Sequence, residues 1–207
     1  MISNIRDIVS LVPVIAEIDA TEPALAVSLA RVLVSGGLRV LEINVQGPTA
    51  IACIDAIRKS LPEALVGVGS LSKAADFAAA GRIGAHFGVT PGLTAELAAA
   101  ARGARFPVLP GVMTPTDVVA AQHAGFKVLK FFPAELAGGT RMLQSFGSVF
   151  PGLEFYAAGG ITRQNAPGFL ALSNVLCVGA SWMAPAAMLE AADWQGVEAL
   201  AREAASL

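Results

Sequence analysis

The sequence predicts a single parallel (β/α)8 (TIM) barrel with an extra N-terminal helix, and three observations point to it. Eight short β-branched or apolar runs recur roughly every two dozen residues along the 207-residue chain. Between them lie stretches rich in Ala and Leu with helical period. The runs themselves are near-continuously apolar, as strands of a parallel sheet covered on both faces must be.

The N-terminal segment Ile2–Leu11 reads as a helix preceding the first strand. The strands then follow as VPVIA from Val12, LRVLEIN from Leu38, ALVGVG from Ala64 and AHFGVT from Ala85. FPVLPG from Phe106, KVLKFF from Lys127, EFYAAGG from Glu154 and NVLCVGA from Asn174 complete the set. Intervening segments such as EPALAVSLARVLVSGG, SLSKAADFAAAG, TAELAAAARG and TPTDVVAAQHAG tend to open on Thr, Ser or Asp and to close on Gly. Those residues supply N-cap acceptors and left-handed C-caps. A doubly wound open sheet is the main rival, but it would leave two edge strands to protect. No Gly-rich dinucleotide fingerprint follows the first strand either. With no linker or composition shift, residues 1–207 are expected to form one domain.

Composition narrows the function classes. Hydrophobic residues make up 55% and charged residues 14%, with a net charge of −2 and no block of either sign. That balance argues against nucleic acid or an anionic membrane as the main partner. Cys53 and Cys177 sit in apolar runs and cannot build a disulfide framework, so the cytoplasm is the expected compartment. His86 and His123 stand without acid or Cys neighbours at ligand intervals, so no metal site is expected. They are expected at a barrel rim and on a helix surface. Trp182 and Cys177 read as packing beside the last strand. The uncharged stretch Gln164–Leu189 is long enough to span a bilayer, but Pro167, Gly168, Gly179 and Pro185 break it, and a strand between turns explains it better.

In a barrel, chemistry concentrates at the C-terminal ends of the strands. In the second run, alternation sets Val40, Glu42 and Asn44 on one face and Leu41 and Ile43 on the other, which turns Glu42 inward. In the sixth run, Lys130 shares its inward face with Val128 and Phe132, while Lys127 faces the opposite side. A buried lysine is rare without a reason. Desolvation favours its neutral amine, and lowering its pKa to near 7 takes roughly 4–5 kcal/mol of differential solvation. A neutral amine in an apolar pocket is a Schiff-base nucleophile. A structural ion pair between Glu42 and Lys130 would have the same geometry. The last two runs end in Gly159-Gly160-Ile161-Thr162 and Gly179-Ala180-Ser181. Loop amides there, with a helix start just beyond, would suit an anion such as phosphate.

Taken together, LEINV around Glu42, GVGS around Ser70, VTPGLT at Val89–Thr94, LPGVMT at Leu109–Thr114, LKFFPAE around Lys130, AGGIT at Ala158–Thr162 and VLCVGASW at Val175–Trp182 form an ordered set. In them the chain resembles the 2-keto-3-deoxy-6-phosphogluconate aldolase / 4-hydroxy-2-oxoglutarate aldolase family over nearly its whole length. The resemblance implies a class I, metal-independent aldolase without a cofactor, usually a homotrimer of (β/α)8 barrels. Its partners would be a small keto acid and a phosphorylated aldehyde. By position it implies Lys130 as the Schiff-base lysine and Glu42 as the general acid/base. Ser70 would contact the pyruvate carboxylate, Pro91 and Phe132 would line the pocket, and Gly159, Gly160 and Ser181 would hold phosphate.

Two positions depart from the family pattern. Gln46 replaces an Arg that clamps the substrate carboxylate, and the phosphogalactonate branch likewise has an amide there. Ala158 replaces a Thr that helps choose the C4 epimer, and losing that hydroxyl relaxes selection at C4. Arg163 is a spare candidate for an anion contact. Three alternatives stand beside the phosphogluconate reading: a phosphogalactonate-type aldolase, a phosphosugar isomerase or epimerase on the same barrel, and a keto-acid-binding member with a weakened site.

Overall fold

The computed structural model describes residues 4–19, 22–44 and 48–207. Helix α1 (Ile5–Val9) precedes β1 (Val14–Ile18), α2 (Pro23–Ser35), β2 (Val40–Asn44), α3 (Pro48–Ser60), β3 (Leu65–Gly69) and α4 (Ala74–Arg82). The chain continues through β4 (Phe87–Val89), α5 (Ala95–Gly103), β5 (Val108–Leu109), β6 (Gly111–Val112), α6 (Pro115–His123) and β7 (Val128–Phe131). It ends with α7 (Gly139–Val149), β8 (Glu154–Ala158), α8 (Ala166–Leu170), β9 (Val175–Ala180), α9 (Ala186–Glu190) and α10 (Trp194–Ala205). Every one of the eight expected runs carries strand, and the N-terminal helix is present.

All pairings are parallel, in the order β5-β4-β3-β2-β1-β9-β8-β7-β6. The ends of that list, β5 and β6, are halves of one sequence run separated by Pro110, which has no N–H to give a ladder. The first half pairs with β4 and the second with β7. The Pro110 carbonyl accepts from the Lys130 backbone N–H at 2.8 Å, so the barrel closes through this broken strand.

Alternation along the strands divides the interior in two. Inward-facing Ile15, Val40, Phe87, Leu109, Val128, Tyr156 and Cys177 fill the barrel, and Ile8 and Val9 of α1 join that inner cluster. Gly67 makes room for the Phe87 ring, since a Cβ there would lie 2.2 Å from it. Outward-facing Leu41, Ile43, Leu129, Phe131 and Phe155 pack against the helices in a larger apolar layer.

Helix entries follow the expected chemistry at several points. Thr94 and Thr114 accept from the backbone N–H groups of Leu97 and Asp117, and Asp193 accepts from that of Gly196. Other entries differ: α7, α8 and α9 have no side-chain cap, and α2 begins at Pro23 after Glu22 without one, where the fixed φ of proline starts the turn. Helix α4 follows Lys73, and Asp76 accepts from the Ser72 and Lys73 backbone N–H groups from within the first turn. No helix among the described residues is long and apolar enough to cross a membrane, and Gln164–Leu189 divides into α8, β9 and the start of α9.

Candidate active site

Four polar side chains meet inside the barrel near the C-terminal ends of its strands. Glu17 on β1 and Glu42 on β2 are Cα partners, as are Lys130 on β7 and Tyr156 on β8. Parallel register therefore sets two residues of each pair level, and the barrel's closure brings the pairs face to face. Lys130 Nζ donates to Glu42 Oε1 at 2.9 Å and to Glu17 Oε1 at 3.2 Å. Tyr156 Oη lies 2.8 Å from Glu42 Oε2 and 3.1 Å from Glu17 Oε1. The amine also sits 5.3 Å from the ring centroids of both Phe132 and Tyr156.

Two glycines make space for this cluster. A Cβ at Gly69 would lie 2.6 Å from Glu42 Oε1, and one at Gly179 would lie 2.1 Å from Tyr156 Oη. The exposures differ within the cluster: the Glu42 side chain is 0% exposed, that of Lys130 8% and that of Glu17 19%.

The electrostatics correct one expectation. Desolvation pushes the Lys130 amine toward neutrality, as its apolar strand suggests, but the charges of Glu42 and Glu17 and their hydrogen bonds outweigh it. The group is held above the ordinary lysine range, so the resting site contains an ammonium and not a free amine. Burial and the Glu42 charge hold Glu17 above the ordinary carboxylate range, against the pull of Lys130. Burial, then the two carboxylates, push the Tyr156 phenol well up, so it remains a protonated donor.

The other expected site residues fall around the same mouth. Ser70 follows β3 in a left-handed conformation (φ 62°), and its hydroxyl donates to Asn44 Oδ1 at 3.3 Å. The Asn44 amide donates in turn to Asp19 at 3.0 Å, which ties the rims of β1, β2 and β3 together. Pro91 is exposed beyond β4, and its backbone abuts Gly111, where a Cβ would come within 2.4 Å. Ala158 is the buried last residue of β8. Gly159 and Gly160 both take positive φ, at 91° and 78°. A Cβ on Gly159 would also press on Pro133 and the Phe132 ring. The Ala158 and Gly159 carbonyls accept from the backbone N–H groups of Ala134 and Glu135, joining this loop to the one after β7. Ser181 is exposed immediately beyond β9. Gln46 lies outside the described residues.

Two details of the anion-loop expectation change. The helices beyond these loops begin only at Ala166 and Ala186 and are five residues each, so no helix start stands directly behind Gly160 or Ser181. Any anion contact there would fall to loop amides and the Ser181 hydroxyl. Arg163 is ion-paired with Glu203 of α10, which engages its guanidinium.

His86 lies at the start of β4, the end of the barrel opposite the cluster, where its Nδ1 accepts from the Val66 N–H at 3.0 Å. Burial, with help from Arg58, lowers its pKa. His123 is exposed in the last turn of α6. Among the described residues no three His, Cys, Asp or Glu side chains are grouped to hold a metal ion.

Glu17 and Tyr156 were not singled out by the sequence analysis. Glu17 carries the same sign as Glu42, an acid flanked by apolar residues inside a strand. Ala16 and Ile18 bracket one, Leu41 and Ile43 the other. Tyr156 is the chain's single tyrosine, and its parity in Phe155-Tyr156-Ala157 turns it inward.

Comparison with known proteins bears on this geometry. Residues 2–200 match the family model for KDPG and KHG aldolase. The KHG/KDPG aldolase of Escherichia coli K12 is 39% identical over 202 residues, covering 98% of this chain and 95% of that protein. The crystal structure of the Zymomonas mobilis ATCC 29191 2-keto-3-deoxy-6-phospho-gluconate aldolase superposes with a TM-score of 0.93 at 39% identity, covering 98% and 97% of the two chains. That of the Legionella pneumophila KDPG aldolase, with pyruvate captured at low pH as a covalent carbinolamine, gives 0.93 at 33% identity and 97% coverage of each.

Proposed function

The chain belongs to the KDPG and KHG aldolase family and is a carbon–carbon lyase, and on that premise we propose that Lys130 and Glu42 carry its chemistry. It is a class I aldolase that reversibly cleaves a 2-keto-3-deoxy-6-phospho sugar acid to pyruvate and glyceraldehyde 3-phosphate, with 4-hydroxy-2-oxoglutarate as a second substrate. The observation that carries the residue assignment is the 2.9 Å contact between Lys130 Nζ and a fully buried Glu42.

Because the resting amine is an ammonium, the first step is a proton transfer from Nζ to Glu42 Oε1 along that contact. The freed lone pair attacks the C2 ketone to give a carbinolamine. Glu42 returns its proton to the departing hydroxyl, water leaves, and Nζ becomes part of an iminium. Ionised again, Glu42 takes the proton of the C4 hydroxyl. The C3–C4 bonding pair flows into the iminium, giving an enamine and the free aldehyde. Glu42 then protonates C3, and a water molecule hydrolyses the iminium to release pyruvate and the amine. The water lost on the way in is regained on the way out.

Around this pair, Ser70 and Gln46 would meet the keto-acid carboxylate, Pro91 and Phe132 would wall the pocket, and Ala158 would leave C4 loosely read. Gly159, Gly160 and Ser181 would hold the phosphate through amides and a hydroxyl. We read residues 1–207 as one barrel domain, working in the cytoplasm as a homotrimer without cofactor. A phosphogalactonate-type preference is the second reading, favoured by the amide of Gln46, and assays on both C4 epimers separate the two.

The residue assignment is tested by trapping. Borohydride added with pyruvate is expected to leave a reduced adduct on Lys130, located by peptide mass spectrometry. An intact enzyme that cleaves substrate but carries no adduct on that residue would refute the assignment.

A further inference from the structure

We propose that Tyr156 and Glu17 form a proton relay linking Glu42, sealed inside the barrel, to water at its mouth. The inference rests on the Schiff-base reading above and adds to it a route by which the general acid/base exchanges its proton.

Hydrogen counting supports the relay. Tyr156 has one hydroxyl hydrogen, yet its oxygen is 2.8 Å from Glu42 Oε2 and 3.1 Å from Glu17 Oε1. One hydrogen serves one of these contacts, so the other needs a hydrogen from the carboxyl side. Placing it on Glu17 satisfies the whole ring: Glu17 donates to Tyr156 Oη, Tyr156 donates to Glu42, and Lys130 Nζ donates to both carboxyl groups. The environment favours that placement, because Glu17 is the group pushed toward its neutral acid by burial and by the Glu42 charge.

Exposure gives the ring a direction. Glu42 and Tyr156 have no surface of their own, whereas the Glu17 side chain is 19% exposed. During turnover Lys130 cannot replace this route, because an iminium nitrogen that surrendered its proton would cease to be the electron sink. In the transfer, the Tyr156 O–H bond breaks as its proton passes to Glu42 Oε2. The Glu17 O–H bond breaks as its proton passes to Tyr156 Oη. Glu17 is left a carboxylate and takes a proton from water. The reverse sequence unloads Glu42, and the phenol ends each cycle unchanged. Glu17 touches the reacting nitrogen; Tyr156 acts through the two acids and is a positioning residue.

The test uses pyruvate alone in D2O, where protonation of the enamine at C3 by Glu42 exchanges the methyl hydrogens for deuterium, followed by NMR. Tyr156→Phe, Glu17→Gln and the double variant are compared with wild type, each also assayed for the borohydride adduct. The expected result is a retained adduct with exchange slowed at least ~10-fold in each single variant, and a double variant no slower than the slower single. Exchange within about twofold of wild type in Tyr156→Phe, losses that multiply in the double variant, or loss of the adduct would overturn the relay. Should Glu17→Gln not fold, Tyr156→Phe, which removes one oxygen, decides alone. Failure of wild type to form any adduct would instead defeat the Schiff-base reading beneath it.

Discussion

The two faces of one sheet behave as different materials. On the outer face Phe131, Phe146 and Phe155 interlock, with Phe146 centroids 5.7 Å from each of the other two, in a layer whose buried members are apolar. On the inner face of the same strands, one residue away, Lys130 and Tyr156 join Glu17 and Glu42 in a ring of short polar contacts. Among the described residues the buried charged side chains, Glu42 and Lys130, lie on that inner side. A pleat of period two thus separates what holds the barrel together from what reacts within it. Each face should then be alterable without the other, and the substitutions below test that separation from the largest effect on catalysis to none.

Lys130→Ala removes the nucleophile and is expected to abolish cleavage, a loss above ~10⁴-fold, with the purified barrel still folded by circular dichroism. Residual turnover near wild type would place the chemistry elsewhere. Glu42→Gln keeps the shape and removes the base, so kcat should fall about 10²- to 10⁴-fold while pyruvate still binds. A KM change with kcat intact would instead make Glu42 a binding group. Gln46→Arg is expected to lower the KM for pyruvate in the condensation direction about 10- to 100-fold, by supplying a two-pronged charged contact. An unchanged KM would show that the carboxylate is held by other groups. On the outer face, Phe146→Ala should cost about 3–5 kcal/mol of stability in urea titrations and leave kcat per folded molecule unaltered. A kcat that fell with it would mean the two faces are mechanically coupled.

Most of the inner face is legible in the sequence. Alternation alone turned Glu42 and Lys130 inward and Lys127 out, and Lys127 is exposed. The N-terminal helix and the eight runs follow from apolar patterning of the same local kind. The charge state of Lys130 did not follow, because it depends on the sum of all neighbours. Counting apolar neighbours gives a neutral amine, whereas Glu42 and, 113 residues away in the chain, Glu17 together outweigh the desolvation. Glu17 was hidden for a similar reason: within its own strand it is an acid interrupting an apolar patch. Only closure of the barrel sets it opposite Lys130. The shortness of α8 and α9 was equally out of view, since helical composition continues past where each helix stops.

Sequence by itself determined which residues face inward, which runs carry strand, and the pairing of one lysine with one acid, because these depend on backbone periodicity and on how rarely such groups are buried. The tertiary structure decided the membership and protonation of the ring. Those depend on distances of about 3 Å between strands far apart in the chain, and at such range each added charge changes the preferred state of its neighbours.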